Sequence, residues 1–96
     1  MPGQGSVTHW IDDVRKGDLS AVQKLWERYF PQLVRVARDR LRTVSSRMAD
    51  EEDVALSVMD RFCRAAQQGR FPDLADRDDL WRLLLRMTTR RTTDLA

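Results

Sequence analysis

Residues 80–96 read LWRLLLRMTTRRTTDLA, and the way this stretch divides into faces sets the fold. At helical spacing Leu80, Leu83, Leu84, Met87 and Leu95 fall along one stripe. Arg82, Arg86, Thr89, Arg90 and Thr93 fall along another, with Arg91 at its edge. No acidic side chain occurs between Leu80 and Thr93. An apolar stripe backed by arginines and hydroxyls, with Trp81 alongside, suits a helix that rests on a core and presents a phosphate- and base-seeking face. A solvated basic face on an ordinary amphipathic helix has the same pattern, and periodicity alone does not separate the two.

Upstream of this helix, residues 70–79 (RFPDLADRDD) lose periodicity and carry a proline and clustered aspartates, which predicts a loop anchored by Phe71 and Leu74. Asp76, Asp78 or Asp79 is placed to cap the helix that follows. Residues 50–65 (DEEDVALSVMDRFCRA) predict a further helix capped by Asp50, with Glu51, Glu52 and Asp53 in a first turn where the helix dipole favours negative charge. Its core stripe is Val54, Ala55, Val58, Met59 and Phe62, continued by Ala65 and Ala66 to a stop at Gly69. Four successive carboxylates exceed what capping requires, so a basic partner is a second reading of them.

The first half repeats the pattern. Residues 1–6 read as a disordered lead, and Val7, Trp10, Ile11 and Val14 then keep helical spacing, with Ser6 or Thr8 as N-cap. Gly17 ends that helix and Asp18 caps the next, whose stripe is Val22, Leu25, Trp26, Tyr29 and Phe30. Pro31 interrupts it, predicting a kink or a break near 30–31, before Leu33, Val34, Ala37, Leu41 and Val44 resume the spacing. Arg35, Arg38, Arg40 and Arg42 lie on the outer face, and residues 43–49 form the connection onward. The fold class is therefore all-α, a compact bundle of about four helices with an ordered loop before the last one.

Composition agrees. Ninety-six residues, 42% hydrophobic and 33% charged with only 4 Gly and 3 Pro, describe one helix-rich domain with a single core. The net charge of +2 is small, so distribution matters more: acids crowd into 50–53 and 73–79, and arginines into 35–47 and 82–91. With one cysteine, Cys63, an internal disulfide is excluded, and His9 alone cannot complete a zinc site with it. No signal peptide or membrane-length apolar run is present, which implies a cytoplasmic protein. No phosphate loop, nucleophile elbow or metal spacing occurs, so neither catalysis nor a cofactor or metal is expected. The helical pattern runs to Ala96 without a Gly or Pro brake, which suggests a fragment of a longer protein.

Three stretches in order carry a family resemblance: GDLSAVQKLWERYFPQLVRVARDRL at 17–41, DEEDVALSVMDRFCRA at 50–65 and LWRLLLRMTTRRTTDLA at 80–96. Together they resemble region 2 of a bacterial RNA polymerase sigma factor of the extracytoplasmic-function (ECF) group, covering the chain from about residue 7 onward. That resemblance implies a non-enzymatic transcription initiation module with two partners. The acidic helix would dock on the clamp helices of the polymerase beta-prime subunit, with Asp50, Glu52 and Asp53 at matching acidic positions and Met59 and Phe62 at matching apolar ones. The last helix and its preceding loop would bind the non-template strand of the promoter minus-ten element and hold a flipped base.

Some positions depart from the family pattern. Leu56 and Ser57 replace a usual Gln-Glu pair on the docking helix. Leu80 stands where Phe is frequent, Leu83 at Trp, Met87 at Ile, Thr88 at Ala and Arg90 at Asn, while Asp94 matches. The resulting polymerase-facing candidates are Asp50, Glu52, Asp53, Leu56, Ser57 and Met59. The strand-facing candidates are Arg82, Arg86, Thr89, Arg90, Arg91 and Thr93, with Phe71, Asp73 and Asp76 as candidates for a base pocket in the loop. A C-terminal helix-turn-helix domain beyond Ala96 is expected on the same resemblance, and an anti-sigma factor is a further candidate partner. The competing function is a helical protein-interaction module, such as an anti-sigma-type regulator, that binds no DNA.

Overall fold

Val7, Ile11 and Val14 recur at i, i+4 and i+7, and all three are buried on one face of the first helix, α1 (Gln4–Arg15). The computed structural model describes residues 4–42 and 50–94. Among these, three further helices follow: α2 (Leu19–Leu41), α3 (Glu51–Gln67) and α4 (Arg77–Asp94). Val44, Leu95 and the 43–49 connection, all expected from the sequence, lie outside the described residues. Of the expected irregular lead, Gln4, Gly5 and Ser6 belong to α1 instead.

Local chemistry sets most boundaries. Gly17 has φ 83° and Gly69 φ 75°, the left-handed region that a side chain disfavours. At each, two amide N–H groups turn back onto the helix: Gly17 to Val14 O and Asp18 to Asp13 O, then Gly69 to Ala66 O and Arg70 to Ala65 O. This is the Schellman pairing, which satisfies carbonyls the helix leaves open. Asp18 serves twice, because its carboxylate also accepts from Ser20 N at 2.8 Å and so starts α2. Asp50 likewise accepts from Asp53 N at 2.8 Å to start α3.

Helix α2 runs unbroken through Pro31, which is exposed while Tyr29 and Leu33 on either side of it are buried. The break that proline invites does not occur; packing of the inner face on both sides of it holds the helix through the lost hydrogen bond. The buried line of α2 is Ala21, Leu25, Tyr29, Leu33 and Ala37, and Val22, Trp26, Phe30, Val34 and Leu41 flank it, half-buried. Helix α3 contributes Val54, Ala55, Val58, Met59, Phe62, Cys63 and Ala66 to the same core and packs most extensively against α2.

The core-facing line of α4 differs from the expected stripe. It is Leu80, Leu84, Thr88 and Thr92, and Leu83 and Met87 pack only partly against the core. Threonine serves here because its hydroxyl bonds its own helix: Thr88 Oγ1 donates to Leu84 O at 2.8 Å and Thr92 Oγ1 to Thr89 O at 2.9 Å. With the hydroxyl satisfied, the methyl group packs as an apolar one, so the polar group carries little burial cost.

Candidate polymerase and nucleic-acid interface

The loop between α3 and α4 is tied to the core at three points. The Phe71 ring lies over that of Phe62 with centroids 5.8 Å apart and planes 10° apart. Leu74 is buried. Arg15, at the end of α1, donates through one guanidinium nitrogen to Phe71 O at 2.7 Å and Leu74 O at 2.6 Å. Such bonds from a charged donor are stronger than neutral ones, and a single nitrogen binding both carbonyls holds the loop in one shape. Nothing in the local sequence marks Arg15 for this role, because its partners lie 56 and 59 residues away.

Asp76 then starts α4: its carboxylate accepts from Asp79 N at 2.9 Å, and its carbonyl accepts from Leu80 N at 3.0 Å. Asp79 in turn reaches back to Ala75 N at 3.3 Å, an arrangement close to a capping box. Asp76 therefore serves as a cap, and the cleft that opens beside the loop is lined by Asp79 in its place. That cleft, of about 380 Å³, joins Arg70, Phe71, Pro72, Asp73 and Leu74 of the loop to Asp79, Arg82, Leu83 and Arg86 of α4. Arginine and carboxylate groups thus face one concavity with apolar and aromatic walls. This mixture offers donors for phosphate, donors and acceptors for base edges, and flat surface for an unstacked ring.

Along α4 the exposed basic line is Arg82, Arg86 and Arg90, each four residues apart. Arg82 stands 4.0 Å from Asp79 with its side chain mostly exposed, and Arg86 and Arg90 make no ion pair among the described residues. Thr93 is exposed beside this line and Thr89 is half-buried. Arg91 lies apart from it, half-buried against α3, with its Nε enclosed.

On α3 the four leading acids divide by role. Asp50 is the cap, and Glu51 pairs with Arg38 of α2 at 3.3 Å. Glu52 and Asp53 are exposed and make no ion pair among the described residues. Leu56, one turn further on, is 45% exposed, an apolar side chain in acidic surroundings, and Ser57 is half-buried. Met59 is 1% exposed, so it supports the helix from within and takes no part in the outer face. Burial pushes the Cys63 thiol above its ordinary value; a hydrogen bond with Trp26 opposes the shift and the Asp60 charge adds to it. A thiol held protonated and out of solvent is a core group, not a nucleophile. His9 is exposed on α1, and the described residues hold no group of three or more His, Cys, Asp or Glu arranged for a metal ion.

Among the described residues, α3 thus carries exposed acids and α4 an exposed arginine line. A family model for ECF sigma factors matches residues 4–96. The chain belongs to that family. Comparison with curated proteins and with solved structures gives no match. As an ECF sigma factor the chain acts in transcription initiation, with RNA polymerase and promoter DNA as partners, and is not an enzyme. No helix among the described residues is long and apolar enough to cross a membrane.

Proposed function

We propose that this sigma-factor domain docks on core RNA polymerase through the outer face of α3 and captures single-stranded promoter DNA with α4 and the loop before it. The observation that carries this reading is the cleft in which Arg82 and Arg86 of the last helix meet Arg70, Phe71 and Asp73 of the loop. Arg82, Arg86 and Arg90 would follow the phosphates of the non-template minus-ten strand, with Thr93 and Thr89 as additional donors. A base turned out of the stack would enter the cleft, where Asp73 and the arginines meet its edge. Unstacking costs a few kcal/mol, which these contacts must offset.

Docking is assigned to Glu52, Asp53 and Leu56, with Ser57 at their margin. Two carboxylates without ion-pair partners among the described residues attract a basic surface, and the exposed Leu56 supplies apolar contact area. The beta-prime clamp helices are the proposed counterpart, and the cytoplasm is the proposed place of action. An anti-sigma factor blocking the domain would compete for the same face.

Asp53→Lys tests the docking half. The α3 cap uses the Asp53 backbone N–H and not its side chain, so the helix keeps that bond. Capture of a beta-prime clamp-helix fragment should weaken by tenfold or more, about 1.4 kcal/mol, with helicity by circular dichroism unchanged. Capture at wild-type strength would refute this face as the docking site.

A further inference from the structure

A second cleft, of about 320 Å³, lies in the seam between α3 and α4. Among the described residues it is lined by Ser57, Val58 and Arg61 of α3 and Met87, Arg90 and Arg91 of α4. Three of these are arginines and none is acidic. Arg91 Nε is itself buried and has no hydrogen-bond partner among the described residues, although buried guanidinium donors are ordinarily satisfied. Arg61 is exposed and makes no ion pair among the described residues, whereas Arg64, almost one turn further on, is held by Asp60 at 3.2 Å. Val58 and Met87 supply an apolar floor, and Ser57 a hydroxyl. Three arginines that share one seam repel one another, and an anion between them relieves that repulsion.

We propose that this seam is a phosphate-binding pocket that grips one backbone phosphate of the captured DNA strand through Arg61, Arg90 and Arg91, with Ser57 as an additional donor. The proposal rests on the strand-binding reading above and extends it to α3, a helix otherwise assigned to polymerase docking. Continuity favours a nucleic-acid phosphate over a peptide carboxylate. Arg90 belongs both to the exposed line Arg82–Arg86–Arg90 and to the pocket wall, and each step of that line advances about 6 Å along the helix. A strand following the line from the loop cleft therefore arrives at the seam. The planar fork of arginine suits the tetrahedral oxygens of a phosphate, and its charge is retained at any physiological pH.

The test compares Arg61→Ala with Arg64→Ala in the 96-residue chain, binding a fluorescent single-stranded minus-ten-like oligonucleotide at several salt concentrations. Both variants remove one exposed positive charge from α3, so a general loss of attraction is shared. Arg61→Ala should weaken binding several-fold and lower the logarithmic salt slope by part of the roughly 0.7 that one phosphate contact on a single strand carries, while Arg64→Ala leaves the slope in place. Equal behaviour of the two variants, with Arg86→Ala still weakening the oligonucleotide, would overturn the pocket and leave the strand-binding reading standing. An Arg61→Ala that spares the oligonucleotide but weakens capture of the clamp-helix fragment would assign the pocket to a carboxylate and overturn the proposal too. Failure of the unaltered chain to bind the oligonucleotide at millimolar protein and low salt would sink the strand-binding reading, and the pocket with it.

Discussion

Phe62→Ala should lower the stability of the domain by about 3–5 kcal/mol, the range for truncating a fully buried aromatic ring. Phe62 is 0% exposed, and it lies in α3 where the core meets the loop, its ring stacked on that of Phe71. Removing it loses the transfer energy of the ring, leaves a cavity in the helix packing, and takes away the surface that orients Phe71. A domain of this size has a total stability of about 5–15 kcal/mol, so the loss takes a large share. Thermal denaturation should show the midpoint falling by roughly 15–30 °C. Phe62→Leu, which refills most of the volume, should cost much less. A near-wild-type midpoint for the alanine variant would mean that α3 and the loop are not packed as described.

Arg15→Ala is expected to act on the same loop from the other side, and its effect reaches the cleft directly. Its guanidinium is the donor to both Phe71 O and Leu74 O, and its side chain is 27% exposed. Hydrogen bonds from charged groups contribute about 1.5–3 kcal/mol when lost from a buried site. Partial exposure lets water replace part of that, which brings the expected cost for the pair to about 2 kcal/mol. Arg15 also touches Asp12 at 3.2 Å, but an exposed pair of that kind adds little. The sharper readout is local: amide hydrogen exchange at residues 70–75 should accelerate well beyond that of the α2 and α3 cores. Uniform acceleration throughout the domain would show that Arg15 stabilises the bundle generally and not the loop.

Features determined within a few residues could be read before the structure. Gly17, Gly69, Asp18 and Asp50 each act through bonds to neighbours in sequence, and each occupies the expected place. The aliphatic and aromatic positions of α3 were legible for the same reason, since one helical period decides which of them turn inward. Thr88 and Thr92 were not, because counting threonine as polar hides that its hydroxyl bonds to the carbonyl one turn back. Met59 matched a docking position by resemblance but its spacing already placed it in the core stripe, and the core is where it lies. Asp76 was one of three acids that could have capped α4; only the hydrogen bonds distinguish it from Asp79, which lines the cleft. Arg15 and the seam around Arg61 and Arg91 needed tertiary structure, since each joins residues from different helices.

Strand capture by the arginine line of α4 is tested most directly by the salt dependence of oligonucleotide binding. The unaltered chain and the double variant Arg86→Ala, Arg90→Ala are titrated with the same single-stranded minus-ten-like oligonucleotide between low and physiological salt. Both arginines are exposed and outside the core, so helicity should be unchanged. With two phosphate contacts removed, the logarithmic salt slope should fall by about 1.4 and the affinity should drop at every salt concentration. An unchanged slope and affinity in the double variant would contradict the assignment of this face to promoter DNA.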